Sequence, residues 1–320
     1  MNDPREFHVD AFLSSLATGF RPKDSIANDI FPRVPVAKQS NIFATIPKGN
    51  WFRIDATNRA PGALANEVTY TVGSDTYFCP NYALAHKVPW ESIDNADPPF
   101  RPLQTGTELV ITKLELDYED RVRSTIASGV GSFMSLSGTD VWTDPINSDP
   151  YGNFETAKNA IFDTTGEEPN LAIIPRRVVQ VLATHPDVIQ RTHPGGAGGG
   201  TATLQQIRDM IFGEGNEGRI LVARMLKDTS TEGAAHAFTP VWSSNVTLMH
   251  VEPNPTADIV KTFGLTFLWT GANIGMKAPG NWMVERKRDA DRMCDWVRTG
   301  YYQDEKIVSA ELGFEIRTGI

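Results

Sequence analysis

Residues 41–46 read Asn41-Ile-Phe-Ala-Thr-Ile46 and are followed by Trp51-Phe-Arg-Ile54. A matching arm reads Glu67-Val-Thr-Tyr-Thr-Val72 and then Asp75-Thr-Tyr-Phe78. Between the two arms stands Asn58-Arg-Ala-Pro-Gly62, a cluster of turn formers. β-Branched and aromatic residues favour a pleated strand, and Pro and Gly interrupt one. The spacing predicts a long two-stranded ribbon over residues 41–78, with residues 58–64 at its tip. Such a ribbon is marginal in water on its own. It needs a surface to lie on, and a second copy of the chain is one candidate.

Working outward, residues 1–37 read as an arm. Phe7, Phe12, Leu13 and Leu16 suggest a short amphipathic helix, and Pro22, Pro32 and Pro35 then favour extended chain. After the ribbon, Tyr82-Ala-Leu-Ala-His-Lys-Val88 fits either a strand or a short helix. Residues 101–130 predict one long helix. Pro102 suits its first turn, and Val110, Leu114, Tyr118, Val122 and Ile126 recur at i, i+4. Asp117 with Arg121 and Glu119 with Arg123 are spaced as favourable pairs on its surface.

The next segment is loop-rich, broken by a helical stretch from Asn153 to Asp163. Strands are predicted at 171–174, 220–223, 246–251 and 262–269, and helices after Pro175 and over 203–212. Residues 139–272 thus form a mixed α/β unit. In the last segment Val308, Ala310, Leu312, Phe314 and Ile316 alternate with polar residues, which predicts a half-buried antiparallel strand. Its expected partners are residues 282–286 and 293–298.

Composition narrows the function. Of 320 residues, 40% are hydrophobic and 22% charged, as in an ordinary folded protein. The net charge of −9 argues against a general nucleic-acid binder. Cys79 and Cys294 are far apart and no CxxC occurs, so neither a disulfide framework nor a zinc site is expected. No apolar run reaches the roughly 20 residues of a membrane span, and the first residues lack the order of a signal peptide. The chain reads as one folded in the cytoplasm.

Motifs for chemistry are weak. The tract Gly195-Gly-Ala-Gly-Gly-Gly200 lacks the Lys-Ser or Lys-Thr of a phosphate loop. No HExxH and no GxSxG occurs, and the two cysteines read as packing residues. No catalytic, metal or cofactor residue is assigned. Glu285-Arg-Lys-Arg-Asp-Ala-Asp-Arg292 is dense in both signs. Its acids could be imagined as an acid–base pair in a soluble α/β enzyme, but a solvated turn or a salt-bridged subunit contact reads better. Candidate subunit-interface residues are therefore Asn58, Arg59, Pro61 and Gly62 at the ribbon tip, and Arg286, Arg288, Asp289 and Arg292.

The order of these elements resembles the major capsid proteins of tailed bacteriophages. The likeness rests on Phe31-Pro-Arg-Val-Pro-Val36, on Leu171-Ala-Ile-Ile-Pro-Arg-Arg-Val178 with His185-Pro186, on Phe212-Gly213, on Phe263-Gly-Leu-Thr-Phe-Leu-Trp269 and on the closing stretch from Trp282 to Ile320. It implies an α+β tailed-phage capsid fold. Residues 1–37 would be an N-terminal arm and 38–80 an extended β-hairpin loop. Residues 81–138 would be a peripheral domain with its spine helix, 139–272 an axial domain, and 273–320 a return to the peripheral domain.

The resemblance further implies hexamers and pentamers closing an icosahedral shell around double-stranded DNA, which is contacted non-specifically. Expected partners are a portal protein and a decoration protein. Only about forty residues precede the ribbon, which implies either a separate scaffold protein or a processed form of the chain, and Met1 at the start favours the scaffold. No cofactor and no membrane is implied. Encapsulin-type nanocompartment shells, which hold protein cargo, share the fold and are the alternative.

Overall fold

A computed structural model describes residues 8–9, 13, 24–45, 53–55, 57–62, 64–69, 71, 73–192, 200–215, 217–231, 233–255, 261–271 and 282–320. Most of the expected N-terminal helix lies outside them, as do Trp51, His193 and residues 195–199 of the glycine tract.

In chain order the elements begin with β1 (His8–Val9), α1 (Ala27–Ile30), β2 (Arg33–Val36), β3 (Ser40–Thr45), β4 (Gly73–Phe78) and β5 (Asn81–Pro89). Then come α2 (Trp90–Asp94), α3 (Pro102–Gly129), β6 (Ser132–Ser135), α4 (Pro150–Thr165), β7 (Leu171–Pro175), α5 (Arg176–Thr184), α6 (Pro186–Thr192) and α7 (Leu204–Phe212). The chain continues through β8 (Arg219–Ala223), β9 (Leu226–Asp228), β10 (Phe238–Pro240), β11 (Val246–Met249), β12 (Gly264–Trp269), β13 (Val284–Asp289), β14 (Cys294–Ile307) and β15 (Gly313–Arg317).

The long helix α3 forms where its stripe predicts. Val110, Leu114, Tyr118, Val122 and Ile126 are all buried, and 28 residues give a rod of about 42 Å. It ends where Val130 turns extended. At Gly129 the helix passes close to β14, so that a Cβ would stand 2.4 Å from Ile307 Cδ1 and that side chain would have to shift. Of the two expected surface pairs, Arg121 does meet Asp117. Glu119 does not meet Arg123. It is fully buried and accepts from the Trp242 indole at 2.6 Å and from the Ile26 and Ala27 amides at 2.9 and 3.1 Å. In this way it caps the start of α1 from another element. Arg123 pairs instead with Glu315 at 3.2 Å.

Two larger sheets pack around α3. One has six strands, in the order β1-β13-β14-β12-β2, with β5 also on β14. The other has five, in the order β6-β15-β11-β7-β8. It packs with α4, α5, α6 and α7 through Phe154, Ile161, Val178, Leu182, Val188, Ile207 and Ile211. Residues 82–88 resolve as a strand, part of β5.

Sheet membership departs from the expected stretches. β12, from within residues 139–272, pairs with β14 and β2. β15, from the closing segment, lies inside the five-stranded sheet between β6 and β11. The expected half-buried strand over 308–317 is also corrected. A 3-10 turn occupies Ala310–Leu312, and only Gly313–Arg317 is strand. That strand is buried on both faces, because it is central. Its partners are β11 and β6, while β13 and β14 pair with each other.

A polar layer lies between α3 and the six-stranded sheet. Arg33 pairs with Glu115 at 3.3 Å, both side chains being almost wholly buried, and stacks over the Tyr118 ring at 4.4 Å. Burial works against its charge, but Glu115 and the tyrosine rings more than offset this, so its pKa is raised. Arg121 reaches Glu305 at 3.1 Å and the Tyr301 hydroxyl at 3.3 Å.

Candidate assembly surfaces

The ribbon has two unlike parts. At its root β3 and β4 pair antiparallel from Ser40↔Phe78 to Thr45↔Gly73. Tyr77 stacks on Phe267 at 4.5 Å, and Phe43 lies against the same ring at 5.1 Å. The Cys79 amide donates to Gln39 O at 2.9 Å, and the Gln39 side chain donates back to Cys79 O at 3.0 Å. Burial pushes the Cys79 thiol up to about 12. The Phe78 amide, on the outer strand, donates to Asp304 of β14 at 3.0 Å. Strand pairing, ring stacking and a carboxylate thus fix the direction in which the ribbon leaves the body.

Beyond the root, the described residues of 53–71 are not strand, contrary to the expected continuation of both arms. The reason lies in what they face. Ile54 is 97% exposed, Leu64 93% and Val68 68%, so no packed surface fixes a pleat. Pro61-Gly62 makes the predicted turn, with Gly62 at φ +83° and open space where a Cβ would stand. Asn58, Arg59, Pro61 and Gly62 are all exposed.

The other four candidates gather at the far end of the β13–β14 hairpin. Arg286 pairs with Asp295 at 2.5 Å, and the neighbouring Glu285 pairs with Arg298 at 2.5 Å. Arg288 lies over the Trp90 ring at 4.4 Å. Asp289 accepts from the Arg292 amide at 3.2 Å, and the Arg292 guanidinium stands 3.9 Å away. Arg286, Arg288, Asp289 and Arg292 therefore each have a partner within the chain. The two candidate groups are carried by separate sheets, one beyond the β3–β4 ribbon and the other on the six-stranded sheet.

Sequence reasoning missed the second small hairpin, β9 with β10, whose Leu226 and Phe238 are exposed. It also missed Asp304 as the ribbon's anchor, since a lone Asp in a polar strand end gives no signal of a distant amide. Among the described residues no group of three or more His, Cys, Asp or Glu is placed to hold a metal ion. No helix among them is long and apolar enough to cross a membrane.

No family model matches the chain. Over 315 residues it is 25% identical to the major capsid protein of Pseudomonas phage JBD67, covering 96% of each chain. Over 246 residues it is 25% identical to the major capsid protein of Burkholderia phage BcepMu, 76% of each. Among solved structures, a phage-related protein from Bordetella bronchiseptica RB50 matches with a TM-score of 0.72 at 24% identity, over 98% of both chains. The capsid of Cyanophage P-SCSP1u matches with 0.59 at 12% identity, over 93% of this chain and 89% of that one. The SrpI encapsulin of Synechococcus elongatus PCC 7942 matches with 0.50 at 10%, over 96% and 94%. The chain has the tailed-phage capsid fold, and phage major capsid proteins are similar to it along nearly its whole length.

Proposed function

We infer that this chain is a phage major capsid protein whose work is self-association into a shell. The observation that carries the reading is a ribbon with a packed root and an uncovered apolar tip, in a chain that a major capsid protein matches over 96% of its length. Ile54, Leu64 and Val68 lose contact with water only when another surface covers them, and a neighbouring copy supplies it.

In this reading the copies form hexamers and pentamers of an icosahedral virion shell. A separate scaffold protein directs closure in the host cytoplasm, and a portal protein occupies one vertex. Double-stranded DNA fills the shell and is touched without sequence preference, and a decoration protein is a further partner. Residues 38–80 are the extended loop that crosses a neighbour, and α3 is the spine of the peripheral domain. The five-stranded sheet with its helices is the axial domain, which places β6 and β15 there and β12 with the peripheral strands.

Catalysis is not part of the proposal. Glu285, Asp289 and Asp295, the acids an enzyme would use, are held by Arg298, Arg292 and Arg286 of the same hairpin. The encapsulin match supports a second reading, a shell around protein cargo. Double-stranded DNA inside purified particles argues for the first, and a protein cargo for the second.

The test is deletion of residues 56–64. The subunit is expected to keep its circular dichroism and thermal transition while negative-stain microscopy shows no closed shells. Particles of normal size and yield from the deletion would contradict the reading.

A further inference from the structure

The two ends of the five-stranded sheet carry opposite charges that have no ion-pair partner among the described residues. β6, β15, β7 and β8 run in one direction and β11 in the other. At the carboxyl ends of β7 and β8 the register sets Pro175 beside Ala223. Arg176 and Arg224 are the next residues of these adjacent strands, so their Cα atoms stand within about 12 Å of each other. Arg177 follows, and all three are exposed. None of them has an ion-pair partner among the described residues, whereas Arg121, Arg123, Arg208 and Arg298 each meet a carboxylate.

Arg176 and Arg177 also open α5, whose first turn has no acidic residue and no side-chain cap. Cations at a helix N-terminus oppose its dipole. Their placement works against the isolated subunit, which points to a partner bearing negative charge.

That charge exists at the opposite end of the same sheet. Where β7 and β8 begin and β11 ends, a groove of about 1120 Å³ opens. Glu168, Glu217 and Glu252 line it, and none is in an ion pair with a described residue. Within the groove Lys158 pairs with Glu155, and Asp209 pairs with Arg208. Arg219 is its remaining cation, so carboxylates are in excess. Phe162, half exposed, supplies an apolar wall. The two ends are one strand apart, about 17 Å.

We propose that these ends are the two halves of one contact between copies: the Arg176–Arg177–Arg224 end of one copy seats in the Glu168–Glu217–Glu252 groove of the next. Two different surfaces meeting head to tail are what generate a closed ring. The proposal rests on the shell reading above and names the faces by which copies meet around a ring. Exposed charge pairs are screened by salt, so ring formation weakens as ionic strength rises.

Charge reversal in the full chain tests it, read by light scattering and electron microscopy. The variants R176E/R177E/R224E and E168K/E217K/E252K should each lose capsomers at least tenfold. Combining all six changes in one chain should restore them. Mixing the two triple variants should give rings in which they alternate, so six-membered rings form and five-membered rings do not. The milder R176Q/R177Q/R224Q should lower the yield and flatten its salt dependence, which keeps the test open if a reversal fails to fold.

Wild-type yield from either triple reversal, no recovery in a folded six-fold variant, or an unchanged salt dependence in the glutamine variant overturns the proposal. Wild-type chain that forms neither capsomers nor shells, even with its scaffold supplied, overturns the shell reading itself. Wild-type shells indifferent to these charges overturn only the contact.

Discussion

The root and the tip of the ribbon belong to one excursion of chain, yet they obey different rules. The root is held by strand pairing, by Tyr77 and Phe43 on Phe267, and by Asp304. The tip carries side chains of comparable hydrophobicity, Ile54 and Leu64, and the subunit covers neither. What separates them is the presence of a packed surface, not composition. The root contributes to the stability of one copy; in the function proposed above, the tip contributes only between copies.

The comparison breaks most readily at Phe267. Phe267→Ala removes the ring that both strands lean on, and denaturant unfolding should show a loss of about 3–5 kcal/mol. A loss under 1 kcal/mol would mean that the root is not a packed unit.

A dry root also predicts a pH response through Cys79. The unfolded thiol titrates near about 8.5, and the folded one only near about 12. Between those values the unfolded chain has lost a proton that the folded chain keeps, so stability falls as pH rises through that window. Below it, Cys79 contributes no slope. Native-state thiol labelling at pH 8 should be slow and become fast on unfolding. Rapid labelling of the native chain would place water in the root.

Asp304→Ala takes the acceptor from the Phe78 amide, at about 1–2 kcal/mol. Its distinctive readout is faster hydrogen exchange at Phe78 with β12 unaffected. Gly62→Ala forces a Cβ into left-handed backbone at about 1 kcal/mol. Because the tip stands clear of the body, the strain should leave the thermal transition almost where it was. Leu64→Asp should change subunit stability least, by under about 0.5 kcal/mol, while abolishing closed shells. If it destabilises the subunit instead, the tip packs on its own copy and the comparison collapses.

The root was legible in the sequence as Ile, Phe, Thr and Tyr in two arms on either side of a turn cluster. Its extent was not, because the pattern alone does not say where the supporting surface ends. α3 was legible from its i, i+4 stripe, since one face of a long rod must be apolar. Glu119 defeated the same reading. Its spacing to Arg123 fits a surface pair, but the arm and Trp242 fold over it and supply donors from far along the chain.

β15 was misread for a related reason. Gly313-Phe-Glu-Ile-Arg317 alternates like a half-buried strand, yet Glu315 is buried and Arg123, Arg317 and Asn245 converge on it. β6, Ser132-Phe-Met-Ser135, gave no signal because a strand added to the edge of a sheet needs little apolar character of its own. The dense charges of residues 285–292 were visible in the sequence, but not that Glu285, Arg286 and Asp289 meet Arg298, Asp295 and Arg292 of the same hairpin while Arg288 lies over Trp90.

Hydrogen exchange on free subunits and on assembled particles tests the central claim most directly. Amides at 40–45 and 73–78 should be protected equally in both states. Amides at 53–55 and 64–69 should exchange freely in the subunit and become protected in the particle. A tip already protected in the free subunit, or still unprotected in the particle, would contradict an intersubunit ribbon.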